Sequence, residues 1–228
     1  SDIAQKYFGI GGSPREAEID LIGRDIDIAL KTGVILDVQH ISTKEGVELV
    51  RQARKKSNRI HAEATPHHFS LTQEAVVEHG TLAKMNPPLR LEEDRQAIIA
   101  GIQDGTIDII ATDHAPHSAE EKAKPLTEAP SGIIGLETAL SLGITNLVET
   151  GKITMMQLLA CMTCNPARMY GINAGNLAIG NTADIVVFDS KEQWTVGKFA
   201  SKSSNSPFTG DKLTGVIKHT IVDGKIQL

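Results

Sequence analysis

The alternation of helical and strand segments between residues 13 and 160 is the feature that most constrains the fold. Apolar residues at helical spacing predict helices, and β-branched runs at residues 34–38, 60–65 and 107–112 predict buried strands between them. This order is typical of parallel strands covered by crossover helices, so the predicted fold class is α/β. Beyond residue 170, glycines alternate with short apolar runs, which predicts a small β-rich domain over residues 171–228.

Composition argues against two classes of function. The chain has 23 Lys and Arg against 28 Asp and Glu, a net charge of −5, so it lacks the basic face of a nucleic-acid-binding protein. Its longest apolar runs are shorter than the ~20 residues that cross a bilayer, which predicts no membrane segment. Two cysteines provide no disulfide framework, so a reducing cytoplasm is the expected compartment.

Polar side chains follow the predicted strands at their carboxyl ends. His40 follows the first strand, and Asp113 and His117 follow the third. Ligands and catalytic groups gather at this end of the strands in α/β folds, and imidazole and carboxylate are ordinary ligands of catalytic zinc. The pattern favours a hydrolytic metal site, although a lone His40 could also be a hydrogen-bonded structural residue and Asp113 could cap a helix.

Three histidines lie in or next to the second predicted strand. His61 alternates with its neighbours inside the strand, which favours a structural role. His67 and His68 are adjacent and point in different directions, so we expect at most one of them to face a site.

Two further loops contain candidate binding residues. Asn86 lies in a stiff segment, residues 84–90, whose two prolines suit either fixed donors for a carboxylate or amide, or a plain structural turn. Ser131 and Gly132 precede a predicted helix over residues 136–149. Backbone amides there could approach a small anionic ligand or simply form a tight turn.

The motifs come in a fixed order along the chain. They are His-Ile-Ser-Thr at residues 40–43, Thr-Pro-His-His-Phe at 65–69, Lys-Met-Asn-Pro-Pro-Leu-Arg at 84–90, Thr-Asp-His-Ala-Pro-His at 112–117, Gly-Leu-Glu-Thr at 135–138, Asn-Pro-Ala-Arg at 165–168 and a glycine-rich segment at 175–189. Together they resemble the carboxyl-terminal half of bacterial dihydroorotases of the long, amidohydrolase-superfamily type. The last two motifs are widespread among cyclic amidohydrolases, whereas the Asp-His-Ala-Pro-His loop with Asn-Pro-Pro-Leu-Arg upstream is more specific.

The resemblance implies both a fold and a reaction. Residues 1–170 would be the carboxyl-terminal portion of a TIM-like (β/α)8 metal-dependent hydrolase barrel, with residues 171–228 as the small β domain. The reaction would be the reversible, zinc-dependent cyclisation of N-carbamoyl-L-aspartate to L-dihydroorotate in pyrimidine biosynthesis. The metal ligands would be His40 and Asp113, with Asp113 also carrying the proton. The substrate-binding residues would be Asn86, His117 and the backbone of Ser131 and Gly132.

The sequence departs from the family pattern in its metal residues. The family's His-x-His pair is absent, and only three strands precede the β domain. We therefore expect a fragment that is inactive alone and binds zinc weakly or not at all, and that forms homo-oligomers because its strand edges are uncovered. The alternatives are another cyclic amidohydrolase, such as a hydantoinase or allantoinase, or a non-catalytic partner of aspartate transcarbamoylase.

Overall fold

The computed structural model describes residues 2–227, which fall into two compact units. Unit 1 comprises the residues up to 137 together with residues 198–207. Unit 2 comprises residues 138–197 and the chain from residue 208 onward. No helix among the described residues is long and apolar enough to cross a membrane.

Unit 1 contains a three-stranded parallel sheet, in the order β1-β2-β3, and the helices that connect its strands. The elements are α1 (Asp2–Phe8), α2 (Glu16–Thr32), β1 (Leu36–Val38), α3 (Lys44–Arg54), β2 (Ile60–Ala64), α4 (Pro66–Ser70), α5 (Ala75–His79), a 3-10 turn (Gly80–Ala83), α6 (Glu92–Asp104), β3 (Ile109–Ile110) and α7 (Ala119–Lys122). The parallel order confirms the strand–helix alternation predicted from the sequence.

Helices α2, α3 and α6 bury one apolar face each against their neighbours. In α3, Val47 and Val50 are fully buried, and Thr43 caps the helix by accepting a hydrogen bond from the Gly46 backbone N–H. Helix α6 ends at Gly105, which adopts the left-handed conformation that commonly terminates helices. These contacts fix the strand ends, and therefore the loops that follow them.

Three predicted elements are shorter or less regular in the structure. The first strand starts at Leu36, because Val34 and Ile35 precede the pairing with β2 and are about half exposed. The third strand pairs only over Ile109–Ile110. The predicted helix over residues 136–149 begins at Ala139 and changes to a π-helical turn over Ile144–Val148.

Unit 2 combines helices with an antiparallel sheet in the order β4-β5-β6. Its elements are α8 (Ala139–Gly143), the π-helical turn, α9 (Met155–Met162), α10 (Cys164–Tyr170), β4 (Ile185–Thr195), β5 (Lys212–Val222) and β6 (Lys225–Ile226). Helix α8 packs on β5, where the Ser141 hydroxyl donates to the Gly215 carbonyl at 2.6 Å. The compact units therefore divide the chain differently from the predicted domains, 1–170 and 171–228, because these helices contact the sheet.

Candidate metal centre and adjoining cavity

His40 lies in the loop that follows β1. Its backbone is left-handed, with a φ of 37°, and its Nδ1 atom is buried with no hydrogen-bond partner among the described residues. The next residue, Ile41, donates its backbone N–H to the Glu63 carbonyl at 2.9 Å, which ties the loop to β2. The imidazole is therefore held in place while one ring nitrogen stays uncommitted.

The carboxylate of Glu18, on α2, holds the rest of this loop. It accepts hydrogen bonds from the backbone N–H groups of Ser42 (2.9 Å) and Thr43 (3.0 Å) and from both hydroxyls. Arg90 lies 3.3 Å from the same carboxylate. Burial alone would raise the pKa of Glu18, but the hydrogen bonds from Ser42 and Thr43, with the charge of Arg90, outweigh it and lower the pKa.

Asp113 follows β3 and also has a left-handed backbone, with a φ of 49°. Burial raises the pKa of its carboxyl group, and the His40 imidazole partly offsets this effect, so the two side chains lie within electrostatic reach of each other. The next residue, His114, accepts the Gly135 backbone N–H at its Nδ1 (3.1 Å). A side chain at Gly135 would come within 2.9 Å of the Thr112 carbonyl, so only glycine allows this approach.

A pair of acidic residues beside His40 and Asp113 was not predicted from the sequence. Burial raises the pKa of Glu63, on β2, to about 8, and the charge of Asp37 on β1 and a hydrogen bond to it add to the effect. Asp113 contributes a smaller repulsion. The only sequence signal was an acidic residue inside each of two predicted buried strands.

The three histidines of the β2 region have different environments. His61 Nδ1 lies 2.7 Å from Asp108, which Arg54 also contacts at 2.9 Å, as expected for a structural residue. His68 Nε2 donates to the Pro87 carbonyl (3.0 Å) and its Nδ1 lies 2.7 Å from the Thr65 hydroxyl.

His67, unlike His68, has a ring nitrogen that makes no hydrogen bond within the described residues. It is 2% exposed, and its Nε2 atom has no hydrogen-bond partner among the described residues. Burial lowers its pKa, and the neighbouring His68 and His40 add to the shift. His67 therefore lies near the predicted metal ligand His40.

Asn86 and Ser131 line one cavity of about 450 Å³ in unit 1, together with residues of the amino-terminal segment such as Ile10 and Ser13. His117 is not among the residues lining this cavity, but its Nε2 donates to the Ser131 carbonyl at 3.0 Å. Two of the predicted substrate-binding residues, Asn86 and Ser131, therefore line the same cavity, and His117 is hydrogen-bonded to Ser131.

The backbone N–H and carbonyl of Gly132 are both hydrogen-bonded within the protein. Its N–H donates to the Lys84 carbonyl at 2.8 Å, and its carbonyl accepts from Lys122 at 2.9 Å. Its φ is +112°, and a Cβ would lie 2.5 Å from that of Ala115, so glycine is required on both counts. Of the predicted pair, only Ser131 keeps a backbone N–H without a partner in the described chain.

The residues present fit part of a zinc site. His40 has an unsatisfied ring nitrogen, and the Asp113 carboxylate lies in its electrostatic field. A catalytic zinc takes three protein ligands, however, and the described residues contain no group of three or more His, Cys, Asp or Glu placed to hold a metal. The two residues fit as a partial ligand set that needs further ligands.

Comparison with known proteins identifies the family of this chain. Residues 11–227 match the model of the amidohydrolase family, so the chain belongs to that family and has its α/β fold. Its curated relatives are dihydroorotases. The chain is 54% identical over 219 residues to that of Clostridioides difficile (96% of this chain, 52% of the relative) and 52% identical over 226 residues to that of Lactococcus lactis (99% and 53%). The chain spans about half the length of these relatives.

Solved structures with a similar fold include a hydantoinase and a dihydropyrimidinase. L-Hydantoinase (dihydropyrimidinase) from Arthrobacter aurescens matches with a TM-score of 0.85 at 30% identity, covering 94% of this chain and 49% of that one. Dihydropyrimidinase from Brevibacillus agri NCHU1002 matches with a TM-score of 0.85 at 25% identity, covering 93% and 49%.

Proposed function

We propose that the chain is the carboxyl-terminal part of a dihydroorotase, which interconverts N-carbamoyl-L-aspartate and L-dihydroorotate. The observation that carries the proposal is the position of His40 and Asp113, each with a left-handed backbone, in the loops at the carboxyl ends of β1 and β3 of one parallel sheet. The roughly 50% identity to dihydroorotases over nearly the whole chain supports this reaction above others. The sheet would be the last part of a (β/α)8 barrel whose remaining strands are supplied by further sequence.

Zinc would be held by His40 and Asp113 together with ligands from outside this chain. When bound, zinc would lower the pKa of water and polarise the ring amide carbonyl. The chain's own contribution is the Asp113 carboxylate, whose pKa is raised by burial. It takes a proton from the attacking water and delivers it to the departing ring nitrogen, and in the closing direction it accepts that proton back.

Substrate would bind in the cavity that Asn86 and Ser131 line. The Asn86 amide suits a substrate carboxylate or carbonyl, and the uncommitted Ser131 N–H suits the ring amide, whereas the Gly132 N–H is already donated to Lys84. His117, which does not line this cavity, donates its Nε2–H to the Ser131 carbonyl and would therefore support the substrate site through Ser131.

Turnover of L-dihydroorotate by the complete protein that contains this chain tests the proposal. Asp113→Asn should lower kcat about 10³-fold, in the range typical of a lost general acid–base. Asp223→Asn, at an exposed turn with the same φ of 49°, is the matched control and should leave kcat unchanged. Absence of turnover by the unmodified complete protein would refute the assignment.

A hydantoinase or allantoinase is the second candidate, because the matching solved structures include hydantoinases. Assays of the complete protein with hydantoin, dihydrouracil and allantoin separate the two, and preference for any of these over L-dihydroorotate would favour the second candidate. A non-catalytic partner of aspartate transcarbamoylase is a weaker alternative, because the chain keeps His40, Asn86 and Asp113 together. The protein would act in the cytoplasm, as a homo-oligomer.

A further inference from the structure

The segment of residues 129–134, here called the 129–134 loop, is held by side chains from three other parts of unit 1. Four of its carbonyl groups accept side-chain hydrogen bonds. The donors are Lys84 Nζ to Ala129 (2.5 Å), Lys122 Nζ to Pro130 (3.0 Å) and Gly132 (2.9 Å), His117 Nε2 to Ser131 (3.0 Å) and Asn205 Nδ2 to Gly132 (3.2 Å). The loop is therefore fixed through its backbone rather than through its own side chains.

Lys122 is the least expected member of this set. It is 5% exposed, and its ammonium group has no carboxylate partner among the described residues. Lysine is almost never fully buried unless it is paired, because burial takes the charge out of water. Burial, with the nearby charge of Lys84, lowers the pKa of Lys122 to about 8. An apolar side chain would fill the same space without the cost of removing a charge from water. The role of the ammonium group is therefore to hold the two carbonyl groups to which it donates.

Both of those carbonyls flank Ser131. The Pro130 carbonyl belongs to the same peptide group as the Ser131 N–H, and the Gly132 carbonyl belongs to the peptide group that follows Gly132, so Lys122 holds the chain before and after Ser131. Ser131 lines the cavity with Asn86, and its own N–H has no partner in the described part of the chain. The Asn205 side-chain amide also donates to the Gly132 carbonyl, and its oxygen accepts the His117 backbone N–H at 3.1 Å.

We propose that Lys122 is a positioning residue, which fixes the peptide groups of Pro130 and Gly132 so that Ser131 keeps its backbone N–H oriented for a substrate amide. The inference deepens the proposed function and rests on it, because Ser131 matters only if a cyclic amide binds in this cavity. Lys122 itself does not contact substrate.

The test compares Lys122→Met with Lys124→Met, an exposed lysine two residues away. In this chain, amide hydrogen exchange of the 129–134 loop should be at least ~10-fold faster in the first variant and unchanged in the second, with exchange in α3 and α6 equal in both. In the complete protein, Lys122→Met should raise KM for L-dihydroorotate ~10-fold or more while kcat changes less than ~3-fold, as expected when binding common to ground and transition states is lost.

The outcomes separate this inference from the function on which it rests. Faster exchange with an unchanged KM, or no effect of Lys122→Met on either, would overturn the inference and leave the function standing. Absence of L-dihydroorotate turnover in the unmodified complete protein would overturn both. If Lys122→Met fails to fold, Lys122→Gln decides in its place, because its amide can still donate to one carbonyl and should give a smaller rise in KM.

Discussion

At the scale of single residues, the histidines of the β2 region illustrate what sequence can and cannot predict. The position of His67 and His68 at a strand end indicated a site. His61 was expected to have a structural role, and its contact with Asp108 agrees with that expectation. Which of His67 and His68 faces the site depends on partners distant in sequence, such as the Pro87 carbonyl 19 residues from His68. A local pattern contains no information about such partners.

His68 should make the fold sensitive to acid. Burial lowers its pKa from an ordinary 6.5 to about 4, so the unfolded chain takes up a proton at a higher pH than the folded one. Its contribution to stability is complete above pH 6.5 and is lost as the pH falls towards 4, by up to about 3 kcal/mol. Urea unfolding between pH 4 and 7 measures this, and His68→Gln should show a shallower dependence than the unmodified chain. Equal slopes would contradict the assignment.

Glu63 should act in the opposite direction. Its pKa is raised to about 8, so the folded chain retains a proton that the unfolded chain releases near pH 4.5. This contribution to stability is complete below pH 4.5 and is lost as the pH rises to 8. Glu63→Gln should therefore unfold at a higher temperature than the unmodified chain at pH 8, with a smaller difference at pH 5. Glu78→Gln, at an exposed position, is the control and should show no such pH-dependent gain.

At the scale of elements, local sequence accounts for the end of α6 at Gly105 and for the Thr43 cap of α3, because both depend on residues within or next to one helix. It did not predict how the His40 loop is held. Glu18 on α2 reaches Ser42 and Thr43 across more than 20 residues of sequence, and Arg90 completes the contact from a third segment. The candidate ligand was therefore identifiable from its motif, whereas the residues that orient it were not.

Glu18→Ala should loosen the start of α3. The change removes the acceptor for two backbone and two hydroxyl donors and leaves Arg90 unpaired, which should lower the free energy of unfolding by about 3 kcal/mol. Amide exchange at Ser42 and Thr43 should rise in parallel. Glu16→Ala, on the exposed side of the same helix, is the control. Equal stability of the two variants would show that the network contributes little.

At the scale of the whole molecule, the proposed metal site would be only partly built from this chain. The described residues contain no group of three or more His, Cys, Asp or Glu placed to hold a metal, and catalytic zinc takes three protein ligands, so zinc titration by calorimetry should give no tight stoichiometric binding to this chain. His40→Ala should leave that result unchanged. Stoichiometric, tight uptake by the unmodified chain that His40→Ala abolishes would contradict the expectation.

His40 and Asp113 both have a left-handed backbone, a conformation that bears on the stability of the fold. Such a conformation costs most residues with a Cβ roughly 1–2 kcal/mol, whereas aspartate and asparagine both tolerate it better. Asp113→Asn removes a carboxyl group whose charge is disfavoured by partial desolvation, so it should raise the melting temperature more than Asp223→Asn, which has the same φ. A calorimetric scan of both variants checks this. On the proposed role of Asp113, a lineage relieved of selection for catalysis could therefore gain stability by a single codon change at this position, and would lose the reaction in the same step.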